Sequence, residues 1–139
     1  MTLDIDTLIG GLVGVVVGFL LSYLNEWYRD RRKRSRVING IVYELNENKR
    51  MIESAPIDST KDEIRLKEFI TDIYQVYKVE LSLYLKEKTL ISIYNVYKEI
   101  SKFNEPIFYR EENGYRVYRY SDIKNLLKII EDTLNLIKS

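Results

Sequence analysis

LIGGLVGVVVGFLLSYL, residues Leu8 to Leu24, is the stretch whose reading decides the fold. Its 17 residues carry no charge. As a helix they extend about 25 Å, at the short end of what crosses a bilayer. Thr7, Asn25, Glu26, Trp27 and Tyr28 can lengthen it through the interfaces, and Tyr23, Trp27 and Tyr28 are ring types that settle at headgroup depth. The reading is a membrane-spanning helix within an anchor segment 1–28. The rival reading, a buried core helix, asks a very small chain to surround an all-apolar rod.

The flanks set the expected direction. Residues 29–36 read RDRRKRSR, so Arg29, Arg31, Arg32, Lys33, Arg34 and Arg36 stand against Asp30 alone. Ahead of the helix stand only the acids Asp4 and Asp6 and the terminal amine. Positive charge resists translocation, which predicts an exterior N-terminus and a cytoplasmic tail at the cell membrane. A cleaved signal peptide is disfavoured, because the leading region is acidic and bulky polar residues follow the apolar run. The same six cations suit anionic headgroups. Nucleic acid is a disfavoured partner, since the run lies at the bilayer surface and lacks interleaved aromatics.

Gly10, Gly14, Gly18 and Ser22 recur every fourth residue. On a helix they form one shallow groove where two backbones can approach closely, so the anchor is expected to self-associate. The competing explanation is that glycine is common in membrane helices. A small pore or toxin-like oligomer is the alternative function, although the polar lining of a pore is missing.

The remaining residues, 37–139, suffice for one compact domain. Their net charge is −1, which does not favour a polyanion partner. The chain has no Cys and no His. That excludes thiol nucleophiles, disulfides, imidazole bases and the usual zinc and haem ligands, and no cofactor is expected. Abundant Ile, Lys, Glu and Tyr with little Ala suggest a prokaryotic source.

Helical periodicity is expected at about 37–54, 61–81, 88–105 and 121–138, a small cytoplasmic helical bundle after the transmembrane helix. Ile38, Ile41, Leu45, Asn48 and Ile52 share the first face, with Asn39-Gly40 a possible kink and Pro56 a stop. Ser59-x-x-Asp62 and Thr60-x-x-Glu63 read as capped starts of the second helix. Ser121 reads as the cap of the last. Between 107 and 120 the period changes. Asn113-Gly114 suits a type I′ turn, and a hairpin about it faces Glu111 with Arg116, Tyr109 with Tyr118, and Ile107 with Tyr120. A longer third helix ending at Gly114 is the alternative.

Three polar residues deserve weighing against this apolar pattern. Asn48 lies on the apolar face, Glu44 at its edge, and Asn104 ends the third helix. A buried Asn or Glu without a partner costs about 1–3 kcal/mol, so these are expected to find one another, Tyr94 or Tyr97, and act as a polar latch for helix register. A di-metal carboxylate bundle would need Glu-x-x-His pairs, and there is no His. Ile73-Tyr74-Gln75-Val76-Tyr77-Lys78 nearly repeats as Ile93-Tyr94-Asn95-Val96-Tyr97-Lys98, for which chance in so Ile- and Tyr-rich a chain is the simpler source.

A basic stop after one apolar span, a helix bearing Glu44-Leu45-x-x-Asn48, and a late helix of pattern I-Y-x-x-Y-x-x-I-x-x-x-N from Ile93 to Asn104 together resemble a loose set of small single-pass prokaryotic membrane proteins of unknown function. The likeness spans most of the chain outside the hairpin and rests on short motifs. It implies architecture only.

Tyr109, Tyr115, Arg116 and Tyr118, with Tyr120, Arg110 and Arg119, make the hairpin the most binding-like surface, because Tyr and Arg are enriched where proteins meet; the competing reading is that the tyrosines pack the hairpin onto the bundle. No phosphate loop, nucleotide fingerprint or nucleophile elbow is present. The expected function is a non-enzymatic anchored interaction module that binds a protein partner at the inner membrane face.

Overall fold

The computed structural model describes residues 5–139, with side chains from Leu8 onward; Met1 to Asp4 of the expected exterior stub lie outside the described residues. The chain is mainly helical, with a small antiparallel sheet. It divides into two compact units, one ending at Arg36 and the other Val37–Ser139.

Helix α1 runs unbroken from Ile5 to Glu53. The basic run is therefore helical, as good helix formers allow, and Asn39-Gly40 does not interrupt it. In the first unit every described residue from Leu8 to Arg36 is exposed. An 18-residue window there has a mean hydropathy of 2.0, and the helix is long and apolar enough to cross a membrane.

In the second unit α1 turns one face inward through Val37, Ile41, Leu45 and Ile52, all buried. Gly40 lies on this inner side for a steric reason: a Cβ there would stand 3.0 Å from Ile73 Cγ2. The chain then turns at Pro56 into strands β1, Ile57–Asp58, and β2, Glu63–Leu66.

Here the expected second helix over 61–81 is overturned. Ile64 and Leu66 are buried while Arg65 is exposed, an alternation of two rather than 3.6. Ser59 and Thr60 start no helix. Asp58 Oδ1 instead accepts from the Thr60 amide at 3.1 Å and from its hydroxyl at 2.6 Å, closing the turn between β1 and β2. Only two short helices occupy the rest of the span, α2, Asp72–Tyr77, and α3, Leu81–Tyr84. Between β2 and α2 lies a strap with no helix or strand of its own, residues 67–71.

Helix α4, Glu87–Phe103, and helix α5, Tyr120–Lys138, fall close to their expected spans. A 3-10 turn at Pro106–Phe108 leads into β3, Arg110–Glu112, and β4, Tyr115–Arg119. Asn113 and Gly114 both take positive φ, 52° and 77°, as a type I′ turn demands. Glu111 pairs with Arg116 as expected, and the Tyr109 and Tyr118 rings lie 5.7 Å apart. Ile107 and Tyr120 do not form a ladder pair, because one sits in the 3-10 turn and the other already in α5.

The hairpin does not stand alone. β4 also pairs with β2, so the order is β1-β2-β4-β3, all antiparallel. That supplies the support that a lone hairpin lacks. The core between sheet and helices gathers Ile64, Phe69, Ile93, Ile100, Phe103, Tyr118, Ile123 and Ile130.

Ser121 is not the cap of α5. Asp62, reached across the sheet, accepts from the Ser121 amide through Oδ1 at 3.2 Å and from its hydroxyl through Oδ2 at 2.9 Å. The Tyr120 amide donates to the Asp62 carbonyl at 2.8 Å. Asp62 holds this position with φ at 53°, in the left-handed region. The orphan amides of the α5 terminus are thus met from the β1–β2 turn, more than fifty residues earlier.

Candidate functional site

Buried Glu44 and Asn48 and half-buried Asn104 converge on one object, the backbone of residues 69–74. Asn48, fully buried, donates through Nδ2 to the Ile70 carbonyl and accepts the Ile70 amide at Oδ1, both at 2.8 Å. Asn104 makes the same pair of contacts with Phe69, at 3.1 and 3.2 Å. The Asn104 oxygen also accepts from Arg116 Nη1 at 3.1 Å.

Glu44 completes the set. Its Oε2 accepts the Ile73 amide at 2.7 Å and its Oε1 the Tyr74 amide at 3.2 Å. These amides belong to the first turn of α2, whose own N-cap Thr71 makes no side-chain cap. Glu44 therefore caps α2 from another helix, an acidic group at a helix N-terminus. Tyr97 donates its hydroxyl to Glu44 Oε1 at 2.6 Å, and its ring stacks on Tyr74 at 4.0 Å between centroids. Burial, reinforced by Glu44, pushes the Tyr97 phenol well above its ordinary 10.

Of the partners expected for Glu44 and Asn48, Tyr97 is one; Tyr94 is exposed and takes no part. The other partners are main-chain groups, which carry no mark in the sequence. The strap follows α1 in the reverse direction: Ile70 meets Asn48, Ile73 meets Glu44, and Ile73 also packs on Gly40.

This arrangement is chemically closed. Glu44 already holds three donors, and both amides of Asn48 and Asn104 are engaged. Among the described residues no group of three or more acidic side chains could hold a metal ion. A groove of about 210 Å³ borders Lys61, Asp62, Glu63, Arg110 and Arg119. Its acids are committed, Asp62 to Ser121 and Glu63 to Arg110 at 3.3 Å.

The hairpin surface is divided. Tyr115 is exposed, but Tyr118 is buried in the core and donates its hydroxyl to the Phe103 carbonyl at 3.0 Å. Tyr109 is half-buried, with Arg116 stacked over its ring at 4.4 Å. The expectation that all four residues form one accessible patch fails at Tyr118, because β4 is an inner strand whose apolar face meets the helices.

Gly10, Gly14, Gly18 and Ser22 lie on exposed helix, and a Cβ at any of the three glycines would meet nothing within 4 Å. Arg29, Arg31, Arg32, Lys33, Arg34 and Arg36 are exposed, with Arg31 over the Trp27 ring at 5.3 Å. Comparison with protein-family models, with curated proteins and with solved structures finds no match to this chain.

Proposed function

We propose that the chain is a membrane-anchored, non-enzymatic interaction module. Its Leu8–Leu24 stretch crosses the cell membrane, its N-terminus faces out, and residues 37–139 work at the inner face, self-associated through α1. The observation that carries this reading is the exposure of the whole apolar stretch. Its twelve large apolar side chains lie between 47 and 73% exposed. So long an apolar surface with no cover from its own chain is at rest in lipid, not water. The six cations that follow it give the direction.

The non-enzymatic part is supported by the engagement of the three polar side chains that α1 and α4 turn toward the strap. Glu44, Asn48 and Asn104 spend their hydrogen bonds on their own chain. What remains accessible is a protein surface, and a protein partner in the cytoplasm is the expected ligand.

Fractionation and protease accessibility test the reading together. The intact chain should pellet with membranes, resist carbonate extraction and lose its C-terminal unit to protease in inside-out vesicles. Recovery in the soluble fraction without detergent overturns the anchor. Protection of the C-terminal unit in such vesicles overturns the orientation. Dye leakage from vesicles on adding the purified chain would replace the interaction module with a pore.

A further inference from the structure

Across residues 70–85 a single side chain is fully buried, that of Leu81, and α2 buries none of its own. The main-chain bonds of this stretch are local. The amide of Gln75 donates to the Thr71 carbonyl at 3.0 Å, Lys78 to Tyr74 at 2.8 Å, Glu80 to Tyr77 at 2.9 Å and Leu85 to Leu81 at 3.1 Å. Helices of six and four residues do not persist alone in water, because nucleation outweighs so few bonds. Their amides are therefore protected while the stretch is docked and lose that protection together when it is not.

Other elements hold the stretch near both ends. Asn48 holds Ile70, Glu44 holds Ile73 and Tyr74, and Tyr97 stacks on the Tyr74 ring. Farther along, Leu81 packs into the core. The borders on either side are firmer. Phe69 is buried against Phe103 and Tyr118, with ring centroids 6.4 and 5.9 Å apart, and Asn104 holds its main chain. Leu85 is an extended joint, φ −114° and ψ 148°, and beyond it α4 runs for 17 residues with Ile93, Val96, Tyr97, Ile100 and Phe103 buried.

We propose that residues 70–85 form a lid that undocks and melts as one unit while the rest of 37–139 stays folded. Opening bares Glu44, Asn48 and Tyr97, all buried when the lid is closed. These offer a carboxylate, an amide and a phenol where the lid's own main chain now lies, so the lid gates a polar cleft between α1 and α4. Every residue involved belongs to 37–139, and the lid does not depend on the anchored reading.

Amide exchange of the full chain in micelles, followed as urea is raised below the unfolding transition, tests the lid. Ile73, Tyr74, Lys78 and Leu85 should converge on one opening constant and one urea slope. That slope should be shallower than the slope at Ile100, because less surface is exposed. Leu81→Ala should raise the opening constant roughly tenfold or more, by the same factor at Ile73 and Tyr74 as at Leu85. Glu44→Gln leaves one of the two lid amides without its acceptor and should raise the constant about tenfold, again equally at Leu85. Ile123→Val, near the start of α5, should quicken exchange at Ile100 and leave the lid amides at their wild-type rates. Effects that stay local, with Leu81→Ala moving Leu85 alone and Glu44→Gln moving Ile73 and Tyr74 alone, mean fraying and overturn the lid. Lid amides that share the urea slope of Ile100 and quicken with Ile123→Val open only in global unfolding, which overturns it too. Should Leu81→Ala fail to fold, Glu44→Gln read at Leu85 decides: an equal rise supports the lid, and no rise ends it.

Discussion

Asn48 and Ile70 exchange two hydrogen bonds of 2.8 Å, side-chain amide to main-chain amide, across 22 residues of sequence. The geometry imitates one rung of a β ladder. It lets a strap with no ladder of its own lie against a helix without orphaned polar groups.

Replacing Asn48 by Leu removes both bonds and leaves the Ile70 amide and carbonyl facing apolar surface. Each orphan costs about 1–3 kcal/mol when buried, and these are only partly so, which points to a total loss of about 2 kcal/mol. Helix content should barely change, because α1 and α4 keep their own ladders. Urea titration in micelles reads the first effect. Amide exchange reads the second: Ile70 and Ile73 should exchange faster while Ile100 keeps its protection. Unchanged exchange at Ile70 would show that Asn48 does not hold the strap.

Two buried tyrosines predict an alkaline limit. Burial pushes the Tyr118 phenol up to about 12, and Tyr97 also lies above its ordinary 10. Once unfolded, both would ionise near 10. Above that pH the unfolded chain binds fewer protons than the folded one, so stability falls as pH rises. The contribution is whole below pH 10 and shrinks from there through pH 12. Tyr118 alone accounts for a loss on the order of 2 kcal/mol by pH 12. Tyr118→Phe should be less stable at pH 8, for want of the bond to Phe103, yet show a shallower decline between pH 10 and 12. Parallel declines for the two proteins would place the alkaline sensitivity elsewhere.

Asp62 does two things at once, and three variants separate them. Asp62→Ala loses the α5 cap and keeps the unfavourable φ of 53°. Asp62→Gly loses the cap but relaxes the backbone. Asp62→Asn keeps an acceptor and tolerates the left-handed region. Stability should fall in the order Asn, Gly, Ala, with the Ala variant about 1–2 kcal/mol below the wild type. Thermal midpoints in one detergent give the order. A Gly variant below Ala would mean that the backbone at Asp62 is not strained.

Local pattern made α4, α5, the hairpin turn and the long apolar helix legible, since each announces itself within a few residues. Ile93, Val96, Tyr97 and Ile100 repeat every three or four residues and are buried. Asn113-Gly114 is a turn wherever it can be. The stretch 61–81 was opaque for the opposite reason. Glu63–Leu66 is a strand because Tyr118 and its neighbours pair with it from 54 positions away, and nothing nearby says so. Leu66, Phe69, Ile70 and Ile73 mimic a helical face while lying on a strand, a strap and a helix start. Glu44, Asn48 and Asn104 were visible as polar residues amid apolar ones. Their true partners, amides and carbonyls at Phe69 to Tyr74, look alike in every sequence. Asp62 carried a signal too, but one that pointed to a cap on its own segment instead of α5.

The glycine stripe of α1 offers the last test. A Cβ at Gly10, Gly14 or Gly18 meets open space, so the fold of the single chain has no need of glycine there. Gly14→Ile should therefore leave membrane insertion and the C-terminal unit unaltered. If two α1 helices meet along Gly10, Gly14, Gly18 and Ser22, the added side chain holds their backbones apart and weakens the dimer. A membrane two-hybrid signal should drop several-fold for Gly14→Ile and stay level for Val15→Ile, which lies off the stripe. Equal signals for both variants would mean that the anchors associate by another face or not at all. Because monomer folding is indifferent to the change, any loss of signal reports the contact between chains.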